Sequence, residues 1–149
     1  MPAAEAASVF SRNPEAWLAA IVESSDDAIV GKTLDSVIRS WNSGARRIFG
    51  YDSAEIVGKP IYTLIPPELH HEETEIIARL LRGERVDHYE TDRVRKDGAR
   101  IDVSLSVSPI RNESGQIIGA AKVARDVTEA KRLQRAEQEL LEHLQELTT

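Results

Sequence analysis

Cysteine does not occur in this sequence. Its absence excludes disulfides, thiolate metal sites, cysteine nucleophiles and any chemistry that parks a covalent adduct on a thiol. Long apolar runs are missing as well, and nothing approaches the roughly 18 consecutive apolar residues of a membrane span. Residues 1–11 carry neither the basic start nor the apolar stretch of a secretory leader. The cytoplasm is therefore the expected compartment. Basic residues are the minority, 19 against 25 acidic ones for a net charge of −6, which argues against a nucleic-acid footprint. Enzyme motifs are lacking too: there is no Gly-x-Gly-x-x-Gly, Walker loop, Gly-x-Ser-x-Gly or His-Glu-x-x-His. What remains is a chain of 149 residues, 41% apolar and 30% charged, with room for one globular domain and a real core.

Residues 1–12 are alanine-rich and unpatterned, a loose lead-in. Asn13-Pro14 opens a helix, with a capping residue before a proline at the first helical position. Trp17, Ala20, Ile21 and Ser24 share one face of it, and that apolar side needs something to cover it. Two short strands are expected at 28–34 and 37–41, joined at Asp35-Ser36. Residues 42–67 read as a relay of short helices. Asn42-Ser43 caps one ending at Gly50, Ser53 caps another ending at Gly58, and Pro60, Pro66 and Pro67 break up the rest. A longer helix is expected over 69–82. Three strands follow at 86–95, 100–111 and 117–127, joined by turn sequences as consecutive hairpins. In the middle strand Ile101, Val103, Leu105 and Val107 alternate with Asp102, Ser104, Ser106 and Ser108. The order implies an α+β domain with a five-stranded antiparallel sheet, short helices on one face and flanking helices at both ends. The domain spans 13–128.

Residues 129–149 form a separate amphipathic helix, capped by Asp126 or Thr128, with Glu129 in its first turn. Leu133, Leu140, Leu144 and Leu147 make a heptad seam of about two and a half repeats once Glu137 is granted a core slot. The pattern suits a parallel homodimer seam; the alternative is a helix folded back on its own domain.

Trp41-Asn42, Arg47-Ile48-Phe49-Gly50-Tyr51 and Glu55-Ile56-Val57-Gly58-Lys59, followed later by Arg95-Lys96-Asp97-Gly98, Val107-Ser108-Pro109-Ile110 and Asp126-Val127-Thr128, resemble a bacterial PAS domain. The resemblance covers residues 15–130. It implies a sensory and dimerisation module of the kind found upstream of histidine kinases in two-component signal transduction, passing its signal through a helix like the one after Thr128.

The resemblance also sorts the cofactors. Flavin-binding photosensory relatives carry a cysteine where this chain has Ile61, and flavin-contacting amides where it has Arg93, Val103 and Ala124, so flavin is disfavoured. Haem-binding relatives place an axial histidine where this chain has Glu73. His70, at the edge of the apolar face of Leu69, Ile76, Ile77 and Leu80, is left as the haem candidate, and His71 points away. No cofactor is favoured, and no metal site is expected.

Glu73 lies at the centre of that apolar face, where a lone carboxylate is costly. Either it anchors a polar ligand in a cavity, with Arg93 as a partner to look for, or the helix starts late and Glu73 reaches water at an open end. The pairs Glu72-Glu73 and Asp26-Asp27 read as solvated, and His88 and His143 stand alone. Trp17 is expected to anchor the first helix to the outer face of the sheet, and Trp41 to pack at a corner. The cavity candidates are Glu73, Ile76, Ile77, Leu80, Ile61, Val103 and Arg93, and the signal-transfer residues are Asp126 and Thr128. Expected partners are a second copy, a downstream signalling domain and a small organic ligand. The rival readings are a ligand-free interaction scaffold, a haem gas sensor, and a small enzyme or transport protein.

Overall fold

The computed structural model describes residues 13–148, so the lead-in expected at 1–12 lies outside the described residues. Asn13 accepts a hydrogen bond from the Ala16 amide and opens α1 (Pro14–Ser24). The expected burial of this helix does not occur: none of its residues is buried, and Trp17 is 39% exposed. The helix is held by its end. Asn42 Nδ2 donates to the Val22 carbonyl at 2.8 Å, leaving the apolar side outward.

Strands β1 (Ala28–Thr33) and β2 (Ile38–Trp41) pair antiparallel, and Val37 makes one further bridge to Pro60. Asn42 is then the cap of α2 (Ser43–Phe49), accepting from the Ala45 amide at 2.9 Å. Gly50 closes α2 at a φ of 85°, a conformation that favours glycine. The cap of α3 (Ser53–Ile56) is Asp52 and not Ser53, because Asp52 forms a reciprocal capping box with Glu55. Two single 3-10 turns follow, Ile61–Leu64 and Pro67–Leu69. Pro66 and Pro67 delay α4 (His71–Leu81), which begins two residues later than its apolar periodicity suggests.

Strands β3 (Val86–Val94), β4 (Arg100–Arg111) and β5 (Ile117–Asp126) form consecutive hairpins, and β5 inserts beside β1. The sheet order is β2-β1-β5-β4-β3. Its inner face carries Ala28, Val30, Val103, Leu105, Val107, Ala120 and Ala124, covered by residues of the 43–81 segment such as Phe49, Ile56, Leu64, Ile76 and Leu80. Trp41 closes one corner: its indole donates to the Tyr51 carbonyl at 2.9 Å and its ring lies 5.7 Å from that of Phe49.

After Asp126 the chain becomes α5 (Thr128–Thr148), which buries none of its residues. Its first two turns lie against β3 and β4, where Lys131 meets Glu90 and Arg135 meets Asp102. Among the described residues, no helix is long and apolar enough to cross a membrane.

Candidate functional site

The inner sheet face is not wholly apolar. Lys32 shares the phase of Ala28 and Val30 on β1, and Lys122 that of Ala120 and Ala124 on β5, so both lysines point into the core. Opposite them stands the first turn of α4. Glu73 is fully buried there, accepting from Lys32 Nζ at 2.5 Å and from Lys122 Nζ at 3.1 Å. Its expected route to water at an open helix end is therefore corrected. The late start does put Glu73 in the first turn of α4, but that turn faces the sheet.

Glu72 is buried too, contrary to its reading as a solvated neighbour. A bulge in β3, where His88 adopts a φ of 51°, interrupts the alternation between Val86 and Tyr89. The bulge brings Tyr89, Thr91 and Arg93 into one inward row. Tyr89 donates to Glu72 at 3.0 Å, Thr91 at 2.8 Å and Arg93 Nη1 at 2.8 Å. Arg93 is thus the partner of Glu72 and not of Glu73.

Burial acts against each charge, and pairing decides the carboxylates. Desolvation raises Glu72, but hydrogen bonds from Arg93 and Thr91 outweigh it and hold the carboxyl below its ordinary range. Glu73 is likewise raised by burial and brought lower overall by the charges of Lys122 and Lys32. For the lysines desolvation wins. Lys32 is lowered despite Glu73. Lys122 is lowered to about 8 by burial, with Lys32 and Arg93 adding to the effect and Glu73 opposing it.

Beside this network lies a cavity of about 20 Å³, lined by Val30, Phe49, Ile61, Leu64, Leu105 and Ala124 together with Arg93 and Lys122. Of the residues expected around a cavity, Ile61 and Arg93 line it. Ile76, Leu80 and Val103 pack in the solid core, Ile77 is half-buried, and Glu73 sits behind Lys122. Lys32 and Lys122 were not anticipated, although their strand phase marks them as inward. Of the positions where flavin-binding relatives carry amides, Arg93 and Ala124 face the cavity and Val103 is buried. His70 is engaged elsewhere: its Nε2 hydrogen-bonds the Ile65 carbonyl at 3.0 Å and its ring packs 4.9 Å from Tyr62.

The exit from the sheet is tightly tied. Asp126 accepts from the Thr128 amide at 2.9 Å, and Thr128 Oγ1 accepts from the Asp102 amide of β4 at 3.0 Å. Further along α5, Lys131 pairs with Glu90 and Arg135 with Asp102. Beyond these ties the leucines of the heptad seam face outward, Leu140 being 58% and Leu144 48% exposed.

Known proteins share this fold. The family model described as PAS domain fits residues 26–129. Two-component system protein A of Emericella nidulans is 35% identical over 96 residues, which cover 63% of this chain and 14% of that protein. The chain therefore corresponds to about a seventh of that relative's length. The crystal structure of the PAS domain of a Colwellia psychrerythraea protein is 28% identical with a TM-score of 0.71, covering 76% of this chain and 97% of that one. An RNA-binding light-oxygen-voltage receptor shares the fold at 24% identity and a TM-score of 0.72, over 91% of this chain and 40% of the receptor's.

Proposed function

Because this chain belongs to the PAS domain family, a family of signalling modules, we propose that it is the cytoplasmic sensory and dimerisation module of a two-component protein, with an output such as a histidine kinase. The state of the interior cavity would be passed along β5 to α5, and α5 would pair with its copy in a second chain.

The observation that carries this reading is the tether of α5 to the sheet combined with its uncovered leucine seam. Ala124 and Lys122 line the cavity on the same strand that ends at Asp126, so the helix start at Thr128 lies four residues beyond the cavity-lining Ala124. A second connection runs through β3 and β4. Arg93 lines the cavity, its neighbour Asp92 stands opposite Asp102, and Asp102 binds Thr128 and Arg135. A seam of exposed leucines costs apolar hydration unless a partner covers it, and a parallel copy fits a heptad. The Emericella nidulans relative, named as a two-component system protein, supports the signalling context.

Sedimentation of the chain at tens of micromolar tests the dimer. A dimer that becomes monomeric in Leu140→Asp is the expected result; a wild-type monomer would refute the seam. A second reading, a ligand-free interaction scaffold, is favoured by the small size of the cavity. Native mass spectrometry separates the two, since a scaffold carries no mass beyond the polypeptide.

A further inference from the structure

The buried charges do not balance. Lys32, Lys122 and Arg93 are cations and Glu72 and Glu73 are carboxylates, all nine-tenths or more buried, which leaves one positive charge in surplus. The hydrogen bonds are short by one acceptor at the same place. Arg93 Nη1 is satisfied by Glu72 and by the Asp92 carbonyl, but Nη2 is buried with no partner among the described residues. It is the one such side-chain atom among them. Arg93 and Lys122 both line the small cavity, and every other lining residue is apolar. A buried guanidinium N–H without an acceptor is costly, and costlier still when its charge is uncompensated.

We infer that this cavity is built to bind a compact oxyanion of single negative charge, in the size range of formate, held between the side chains of Arg93 and Lys122. The inference rests on the sensory reading above and specifies the ligand for it. A water molecule would satisfy Nη2 and leave the surplus charge; a monoanion answers both. Guanidinium favours planar oxygen acceptors, to which it presents its N–H groups in plane. A volume of about 20 Å³ is little more than one water-sized body needs, so even formate requires the apolar walls to give slightly, and sugars, nucleotides and dicarboxylates are far too large. No carboxylate lines the cavity to repel an anion, and the apolar walls keep water from weakening the contact. The anion would also stabilise the charged form of Lys122, which Glu73 from α4 supports and Lys32 from β1 and Arg93 from β3 oppose.

The test uses the whole chain, exchanged into sodium gluconate and titrated with formate, acetate or nitrate at constant ionic strength. Melting temperature and calorimetry at pH 8 in two buffers of different protonation enthalpy are the readouts. Expected is a rise in Tm of about 3–5 °C at tenfold excess over Kd, growing further with the logarithm of anion concentration, with a saturable calorimetric isotherm, proton uptake on binding and affinity that weakens above pH 8. Binding of formate and acetate without nitrate assigns the site to carboxylates, and binding of nitrate assigns it to planar oxyanions in general. Ala124→Val, which fills the cavity without touching an ion pair, is expected to fold and lose the response; Arg93→Gln loses it as well. No anion-specific rise in wild type, or an equal rise in Ala124→Val, overturns the inference. A neutral ligand found by native mass spectrometry overturns it too, while leaving the sensory reading intact. Conversely, an anion that binds without altering α5 keeps this inference and removes the sensory one.

Discussion

Replacing Glu73 by glutamine removes one charge and keeps the shape. In wild type its two oxygens accept from Lys32 at 2.5 Å and Lys122 at 3.1 Å, with no exposed surface on the carboxylate. Glu73→Gln leaves two buried ammonium groups facing an amide that can accept from one of them. Breaking a buried pair in this way costs about 3–5 kcal/mol, and with two cations stranded the upper half of that range applies. With a urea m-value of about 2 kcal/mol/M, the unfolding midpoint falls by about 2 M. Urea melts followed by tryptophan fluorescence measure this, since Trp41 is buried against Phe49. The deficit should shrink as pH rises, because the stranded lysines escape the penalty by losing their protons. The triple variant Lys32→Met, Glu73→Leu, Lys122→Met removes every charge of the cluster, and is expected within about 1 kcal/mol of wild type or above it. A loss below about 1 kcal/mol for Glu73→Gln alone would refute the placement of this carboxylate between two buried lysines.

Lys122 titrates at about 8 in the folded chain and near 10.5 when unfolded, so the unfolded state binds more protons between those values and its contribution to stability grows with pH across that window. Lys122→Met should lose that rise, which pH-dependent urea melts would show as a flatter profile from pH 8 to 10. Asn42 accepts from the Ile29 and Ala45 amides and donates to the Val22 and Asp27 carbonyls, so Asn42→Ala is expected to cost about 2–4 kcal/mol in the same melts. Gly44→Ala would set a Cβ 2.1 Å from the Asp27 carbonyl oxygen, forcing α2 off β1, and should leave little folded protein by circular dichroism. Asp92 faces Asp102 across β3 and β4 and is raised by burial and by that neighbour. Asp92→Asn should therefore be neutral to slightly stabilising at pH 7, because solvent screening at this half-exposed site and the contact with Arg100 offset most of the repulsion, and any gain disappears in acid as wild-type Asp92 takes up its proton.

The order and kind of the elements were legible because they rest on local signals. The phase of Ile101, Val103, Leu105 and Val107 set the inner face of β4, and Asn13, Asn42 and Gly50 marked helix ends through caps that need only near neighbours. The start of α4 was misread because the Pro66-Pro67 turn competes with an apolar periodicity that runs through it. The site was harder. Glu73 stood out as a carboxylate on an apolar face, but its lysines lie 41 and 49 residues away in sequence, and no short-range pattern joins them. Lysine in a strand ordinarily means solvent; only the phase of Ala28-Val30-Lys32 and Ala120-Lys122-Ala124 reveals otherwise. Tyr89 and Glu72 were out of reach because the bulge at His88 resets the alternation of β3. The apolar side of α1 was legible, but what covers it depends on tertiary contacts that no local pattern carries.

The central claim is that the cavity speaks to α5. The lack of cysteine makes its test direct, since Glu139→Cys, exposed on α5, gives one labelling position per chain. Electron–electron double resonance between spin labels at residue 139 of two paired chains, with and without saturating formate, reads the spacing of the helices. A dimer distance whose distribution shifts on adding formate, and no longer shifts in Ala124→Val, is the predicted result. The account would be contradicted by a distribution identical with and without the bound anion, or by no dimer distance at all.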